Sequence, residues 1–141
     1  MENNIELRVR YGETDQMGYC YYGNYAQYFE IGRVEALRSL GLSYRDLEES
    51  GYMLPVSKYE VQFYAPAKYD DLLLVQTCIT ELKGPQITFT YFVYKEDSLI
   101  ARGITSLVFV DKTSMKPIRP PQNFVDLIEP YVVESPNNTS L

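Results

Sequence analysis

The chain has 141 residues, 45% of them hydrophobic and 23% charged, and a net charge of −6. That length suits one domain with a core of its own, and the acidic balance argues against a general nucleic-acid binder, which needs a basic face to release counterions from phosphates. Histidine is absent, so Ser-His-Asp and Cys-His triads and HExxH zinc sites are excluded, no metal site is expected, and acid–base chemistry would fall to carboxylates, Tyr, Lys or backbone groups.

In chain order, residues 5–11 alternate Ile5, Leu7, Val9 and Tyr11 with Glu6, Arg8 and Arg10, the pattern of a half-buried strand. A turn follows from Gly12 to Gly18. Asn24 and Gln27 have capping-box spacing, and Tyr25, Tyr28, Phe29, Gly32, Ala36, Leu37 and Leu40 form an apolar stripe at helical spacing. Gly41 is a natural stop. This predicts a helix over 23–40 and a short one from a Ser43 cap to Gly51. Residues 55–64, 72–82, 86–96 and 99–110 read as strands, with hairpin turns at Lys83-Gly84-Pro85 and Glu96-Asp97-Ser98. Ile87, Phe89, Tyr91 and Val93 oppose Phe92 and Tyr94, so both sheet faces are expected to be covered, one by the helix and one by another subunit. Lys116-Pro117 ends the sheet region and a short helix follows through Phe124, Leu127 and Ile128. The outline is α+β. One domain is expected over 1–133, with a disordered polar tail over 134–141.

Cys20 and Cys78 lack CxxC spacing and read as buried free thiols, in keeping with a reducing, cytoplasmic location. Residues 1–15 have no apolar core of a signal peptide. No run approaches the ~18 apolar residues of a membrane span.

The segment from Tyr11 to Tyr25 is the most informative. Glu13 and Asp15 lie in a Gly-flanked turn, and the main helix starts within about ten residues. A helix N-terminus has unpaired N–H groups and a partial positive charge. It can polarise a carbonyl and stabilise an oxyanion, while a nearby carboxylate attacks the carbonyl carbon or activates water. Acidic residues in turns are also commonly solvated or cap helices, and spacing alone leaves both roles open. Gly18 and Gly23 are explained by backbone need.

Tyr11, Gly12-Glu13-Thr14-Asp15, Gly18 and Tyr21-Tyr22-Gly23-Asn24-Tyr25 resemble the signature of hotdog-fold acyl-CoA thioesterases, in the branch of 4-hydroxybenzoyl-CoA thioesterase and the YbgC- and FadM-type enzymes. Tyr28-Phe29-Glu30 with Arg33 and Glu35, Pro55-Val56-Ser57, and the stretch from Ala65 to Leu72 extend the similarity over about residues 5–130. The resemblance implies a long central helix wrapped by a mostly antiparallel five-stranded sheet, and hydrolysis of an acyl-CoA to free acid and CoA with no cofactor beyond the substrate's own coenzyme A. It implies Asp15 as the catalytic carboxylate, nucleophile or general base, and the Tyr22 backbone N–H as the group polarising the thioester. Many relatives carry His at the Tyr22 position, but a backbone donor does not depend on the side chain. Glu30 corresponds to an acidic residue facing the acyl group and is the rival carboxylate. Tyr19, Tyr21 and Tyr25 are candidates for the acyl pocket, and Lys83 and Arg119 for coenzyme A. A homodimer or homotetramer is implied, with sites between subunits. The rivals are a non-catalytic acyl-CoA-binding module on the same fold and a thioesterase acting on acyl carrier protein. Hydratase chemistry on this fold relies on a His, which the chain lacks.

Overall fold

The computed structural model describes residues 2–134, so the expected disordered tail lies almost wholly outside the described residues. The elements run β1 (Glu2–Arg8), a 3-10 turn (Tyr11–Glu13), α1 (Asn24–Ser39), α2 (Tyr44–Glu49), β2 (Tyr52–Met53), β3 (Val56–Phe63), β4 (Leu72–Lys83), β5 (Gln86–Lys95), β6 (Ser98–Val108), β7 (Val110–Asp111), α3 (Gln122–Ile128) and a 3-10 turn (Glu129–Tyr131). The class is α+β with the hotdog arrangement, as expected. The first strand stops at Arg8 rather than Tyr11, which instead opens the 3-10 turn. The two-residue β2 pairs with β7 in a small separate sheet and is too short to carry a period in the sequence.

The main sheet has the order β1-β4-β5-β6-β3, and every pair in it is antiparallel. The hairpin turns fall where the sequence puts them: Lys83 pairs with Gln86, and Lys95 with Ser98. Gly84 takes φ +55 in the first of these turns, a value glycine adopts without steric cost. Alternation gives the sheet two chemically different faces. Leu73, Val75, Ile87, Phe89, Tyr91, Val93, Ala101 and Leu107 are buried beneath α1 or at its ends. The outer face carries Phe92 and Tyr94, half-buried, with the Arg102 guanidinium 5.6 Å above the Phe92 ring.

Helix α1 lies on the inner face. Its buried residues are Tyr25, Tyr28, Phe29, Gly32, Arg33, Ala36 and Leu37, which is the expected stripe with Arg33 added and Leu40 only half-buried. The helix ends as Gly41 predicts. Gly41 has φ +82, its N–H donates to Arg38 O, and Leu42 N–H reaches back to Leu37 O at 3.0 Å, a Schellman pairing. Ser43 Oγ accepts the Asp46 N–H at 3.1 Å and caps α2. The expected Asn24–Gln27 capping box does not form. Gly23 is the cap, in αR conformation, and Asn24 is already helical. Its side chain donates instead to Glu13 O at 2.7 Å.

The closest packing is at the centre. The Phe29 ring stacks on Tyr91 with centroids 4.4 Å apart and planes 15° off parallel. Beside it in the sheet, paired with Tyr91, is Gly103, where a Cβ would collide with the Phe29 ring. Phe29 and Tyr91 are fully buried, and each contributes about 1.5–3 kcal/mol by burial.

At the end of the sheet where β1 finishes, Val9 N–H donates to Asp71 O and Asp70 N–H to Val9 O. The Asp71 carboxylate accepts the Lys68 N–H at 2.7 Å and meets Lys95 Nζ at 3.0 Å. Partial burial pushes the Asp71 pKa up, but the Lys68 amide and the Lys95 ammonium outweigh it and hold the group below the usual aspartate value.

Two predictions test these contacts. Gly103→Ala should lower unfolding free energy by about 1–3 kcal/mol, as overpacking does, read from urea denaturation. Because the folded Asp71 pKa lies below its unfolded value, its contribution is complete above the unfolded pKa and fades as pH falls through the folded one. Asp71→Asn should therefore lower Tm at pH 7, and the gap from wild type should close in melts taken at about pH 2 to 3.

Candidate active site

Leaving β1, the chain passes the buried Val9 and turns through the 3-10 segment Tyr11–Glu13. A tight loop then carries Asp15. Asp15 N–H donates to Tyr19 O at 2.8 Å and Gly18 N–H to Asp15 O at 2.9 Å, with Gly18 at φ +80. The Asp15 carboxylate closes the loop: Oδ1 accepts the Met17 N–H at 2.9 Å and the Tyr19 N–H at 3.2 Å. Among the described residues Oδ2 accepts no hydrogen bond within the chain. Asp15 thus does what a turn acid does with one oxygen and keeps the other available.

The loop is pinned on two sides. Cys20 N–H donates to Ala67 O at 2.7 Å, and Tyr19 bridges to Lys68. Tyr21 N–H donates to Glu13 O at 2.8 Å. The chain then enters α1: Asn24 N–H donates to Tyr21 O and Tyr25 N–H to Tyr22 O, so Tyr21 and Tyr22 supply the first carbonyls of the helical ladder. Among the described residues no acceptor in the chain takes the Tyr22 N–H. It lies immediately before the Gly23 cap, beside the positive end of a 16-residue helix.

Asp15 and Tyr22 line one cavity of about 330 Å3, with Tyr19, Cys20, Tyr25, Met17 and the wall Phe63-Tyr64-Ala65-Pro66. Tyr25 is buried and packs edge-on against Phe63 at 4.9 Å. Desolvation in that packing pushes the Tyr25 hydroxyl pKa far up, so the phenol is neutral. The cavity therefore has an apolar, aromatic wall, with Asp15 and Tyr22, the residue before the Gly23 cap, among its lining. An oxyanion gains most from such a donor when water is kept out.

The other candidates lie elsewhere. Tyr21 is half-exposed, its ring against Tyr22 at 4.5 Å, and does not line this cavity. Glu30 is exposed and lines a different cavity of about 320 Å3, between α1 and β3, with Arg33 and Tyr59. The backbone segments next to Lys83 and Arg119 are joined through Phe109, whose N–H donates to Pro85 O and whose carbonyl accepts the Ile118 N–H. Both are exposed. They sit at the far end of the twelve-residue β4 from the Asp15 loop, roughly 36 Å along the strand at ~3.3 Å per residue. Within one chain the structure brings Asp15, Tyr22, Tyr19 and Tyr25 together, and separates Glu30, Lys83 and Arg119 from them.

Spacing did not reveal the role of Glu13. Far from being a solvated partner of Asp15, it is buried. Oε1 accepts the Arg10 N–H at 2.9 Å and the Tyr28 O–H at 2.8 Å, and Oε2 accepts Arg10 Nε and Nη2 at 3.2 and 2.9 Å. Desolvation pushes its pKa up, but these bonds and the guanidinium outweigh it, and the carboxyl stays below its usual range. The Phe63–Pro66 wall and the burial of Arg33, whose Nε donates to Tyr44 OH at 3.0 Å, were also missed.

Among the described residues no helix is long and apolar enough to cross a membrane. The family described as the Thioesterase-like superfamily matches residues 9–128. The chain is 36% identical over 120 residues to the acyl-CoA thioester hydrolase YbgC of Escherichia coli O6:H1, covering 84% of this chain and 90% of that one. To the acyl-CoA thioesterase YbgC of Haemophilus influenzae it is 32% identical over 120 residues, covering 84% and 88%. Its fold superposes on the solved structure of a DHNA-CoA thioesterase from Staphylococcus aureus with a TM-score of 0.85 at 32% identity, over 92% of this chain and 88% of that one. On sequence and on fold alike, the chain belongs to the Thioesterase-like superfamily.

Proposed function

We propose that the protein hydrolyses acyl-CoA thioesters in the cavity between the Asp15 loop and the start of α1. The observation that carries this is that one cavity is lined by both Asp15 and Tyr22, and that among the described residues one Asp15 carboxylate oxygen and the Tyr22 N–H have no partner in the chain. The names borne by the relatives support the substrate class.

The thioester carbonyl oxygen accepts the Tyr22 N–H, and the helix dipole stabilises charge as it gathers there. Asp15 then acts at the carbonyl carbon. As nucleophile it forms a tetrahedral adduct that expels the CoA thiolate and leaves a mixed anhydride, which water opens to release the acid and restore the carboxylate. As general base it takes a proton from water while the hydroxyl adds to the same carbon. Either way the thiolate leaves without an acid catalyst, since a thiol pKa of about 8.5 makes it a good leaving group. A chain without histidine suffices. Tyr19 and Tyr25 face the acyl group, and Tyr21 supports the rim from outside.

Glu30, Lys83 and Arg119 enter only if a second chain brings its α1–β3 side or its far sheet end to the cavity. The edge strand β3 supports a homodimer or homotetramer: it exposes Val56 at 46%, Tyr59 at 41% and Phe63 at 38% of their surface, next to unpaired backbone groups at the edge. In that assembly Lys83 and Arg119 hold the coenzyme A phosphates. Acyl carrier protein in place of CoA, and binding without turnover, are the competing outcomes.

Asp15→Asn should cut kcat by at least about 10²-fold, the low end of what a positioned acid–base group contributes, with a native melting curve and CoA-ester binding retained. Hydrolysis of an acyl-CoA panel followed by thiol release measures it, and an Asp15→Asn variant that turns over at the wild-type rate would remove Asp15 from the chemistry. Light scattering should give a multiple of the 16.3 kDa chain mass; a monomer that still hydrolyses acyl-CoA would eliminate the shared-site assignments of Glu30, Lys83 and Arg119.

A further inference from the structure

Glu13 touches neither the cavity nor Asp15 directly, yet more bonds converge on it than on any catalytic candidate. Its ionised carboxylate has about four acceptor positions, and all four are filled, by the Arg10 amide, two guanidinium N–H groups and the Tyr28 hydroxyl. Its own carbonyl accepts two more donors, Tyr21 N–H at 2.8 Å and Asn24 Nδ2 at 2.7 Å.

These partners belong to different segments. Arg10 lies at the exit of β1. Tyr28 lies one turn inside α1 and is buried, with its hydroxyl also 3.3 Å from Cys20 Sγ. Tyr21 and Asn24 flank Tyr22, whose amide is the electrophilic partner. Asp15 is two residues beyond Glu13. One residue is therefore bonded to both sides of the proposed oxyanion donor, to the body of the helix that orients that donor, and, through a two-residue link, to the carboxylate.

We propose that Glu13 is a positioning residue of the thioesterase site, whose carboxylate clamps the Asp15 loop onto α1 and so fixes the separation between the Asp15 carboxylate and the Tyr22 amide. The inference rests on the hydrolase function proposed above. A charged, fully bonded group suits such a clamp, because charge-assisted bonds are about twice as strong as neutral ones and the buried setting strengthens them. A misplacement of about 1 Å between reacting groups can cost 10²-fold in rate, while ground-state binding of a long substrate spreads over many contacts and changes little.

The test compares wild type with Glu13→Ala, Glu13→Gln, Tyr28→Phe and the Glu13→Ala/Tyr28→Phe double variant. kcat and KM are measured on the acyl-CoA that wild type hydrolyses best, at a temperature well below each variant's melting point. Glu13→Ala should lower kcat about 10- to 100-fold with KM within about two-fold. Glu13→Gln keeps an oxygen for the Arg10 amide and the Tyr28 hydroxyl, and the exposed Arg10 side chain can turn to solvent, so it should recover kcat to within a few-fold of wild type. Tyr28→Phe should lower kcat several-fold, and the double variant should be no slower than Glu13→Ala alone, because both remove the same link. Wild-type kcat in Glu13→Ala, or a loss carried by KM alone, overturns the proposal. If Glu13→Ala does not fold, Tyr28→Phe decides: an unchanged kcat overturns it and a lowered kcat with unchanged KM supports it. If wild type hydrolyses no acyl-CoA, the hydrolase function falls first and this proposal with it; if wild type is active and the variants match it, only the positioning role falls.

Discussion

The seating of one aromatic ring governs the rest of this molecule. Phe29 lies flat on Tyr91, and it can do so because the neighbouring sheet position is Gly103, with no side chain to hold the helix off. A five-stranded sheet offers a broad inner surface on which a single helix could settle at many heights and angles. Close-packed interiors resist both gaps and overlap, so the ring-and-glycine fit selects one. Once α1 is fixed there, its N-terminus is fixed too. It emerges beside the end of β1 and the Ala65–Ala67 segment, where the loop between β1 and α1 has to close.

That loop is held by polar bonds rather than by burial. Most of its residues are exposed, and its shape comes from Asp15 Oδ1, the Gly18 turn, the Cys20–Ala67 bond and the bonds around Glu13. The apolar core sets where the helix terminus stands, and the hydrogen-bonded loop sets what faces it. This division leaves the Asp15 carboxylate half-buried beside the cavity, outside the apolar core.

Features encoded within a few residues could be read from the sequence. The helical stripe, the Gly41 stop, the Ser43 cap and both hairpin turns depend on neighbours three to five positions apart, and the structure has them. What depended on distant partners could not be read. Asn24 has the right spacing for a capping box, yet an accepting carbonyl eleven residues upstream takes its side chain. Glu13 looked like a solvated acid because its partner Tyr28 is fifteen residues away on another element. The Phe63–Pro66 wall reaches the cavity through distant partners, the β3–β6 register on one side and the Cys20–Ala67 bond on the other. At the site, Asp15 and the helix start were legible as separate features, and tertiary structure sets Asp15 and Tyr22 on one cavity.

The strand order also dictates a history for each new chain. β4, β5 and β6 form a meander joined by tight turns, so their contacts close short loops. β1 has no sequence neighbour in the sheet, and its partner is β4, with Glu2 opposite Cys78. Closing so long a loop costs more entropy and comes slowly. On a ribosome, β1 and α1 emerge before β4 to β6 and have no sheet to join until those strands have been made. The loop that carries Asp15 hangs between these two waiting elements. The Asp15 loop is thus made before the sheet that holds it and is among the last parts of the fold to take its final shape, and the cavity beside it is not assembled before the sheet is complete.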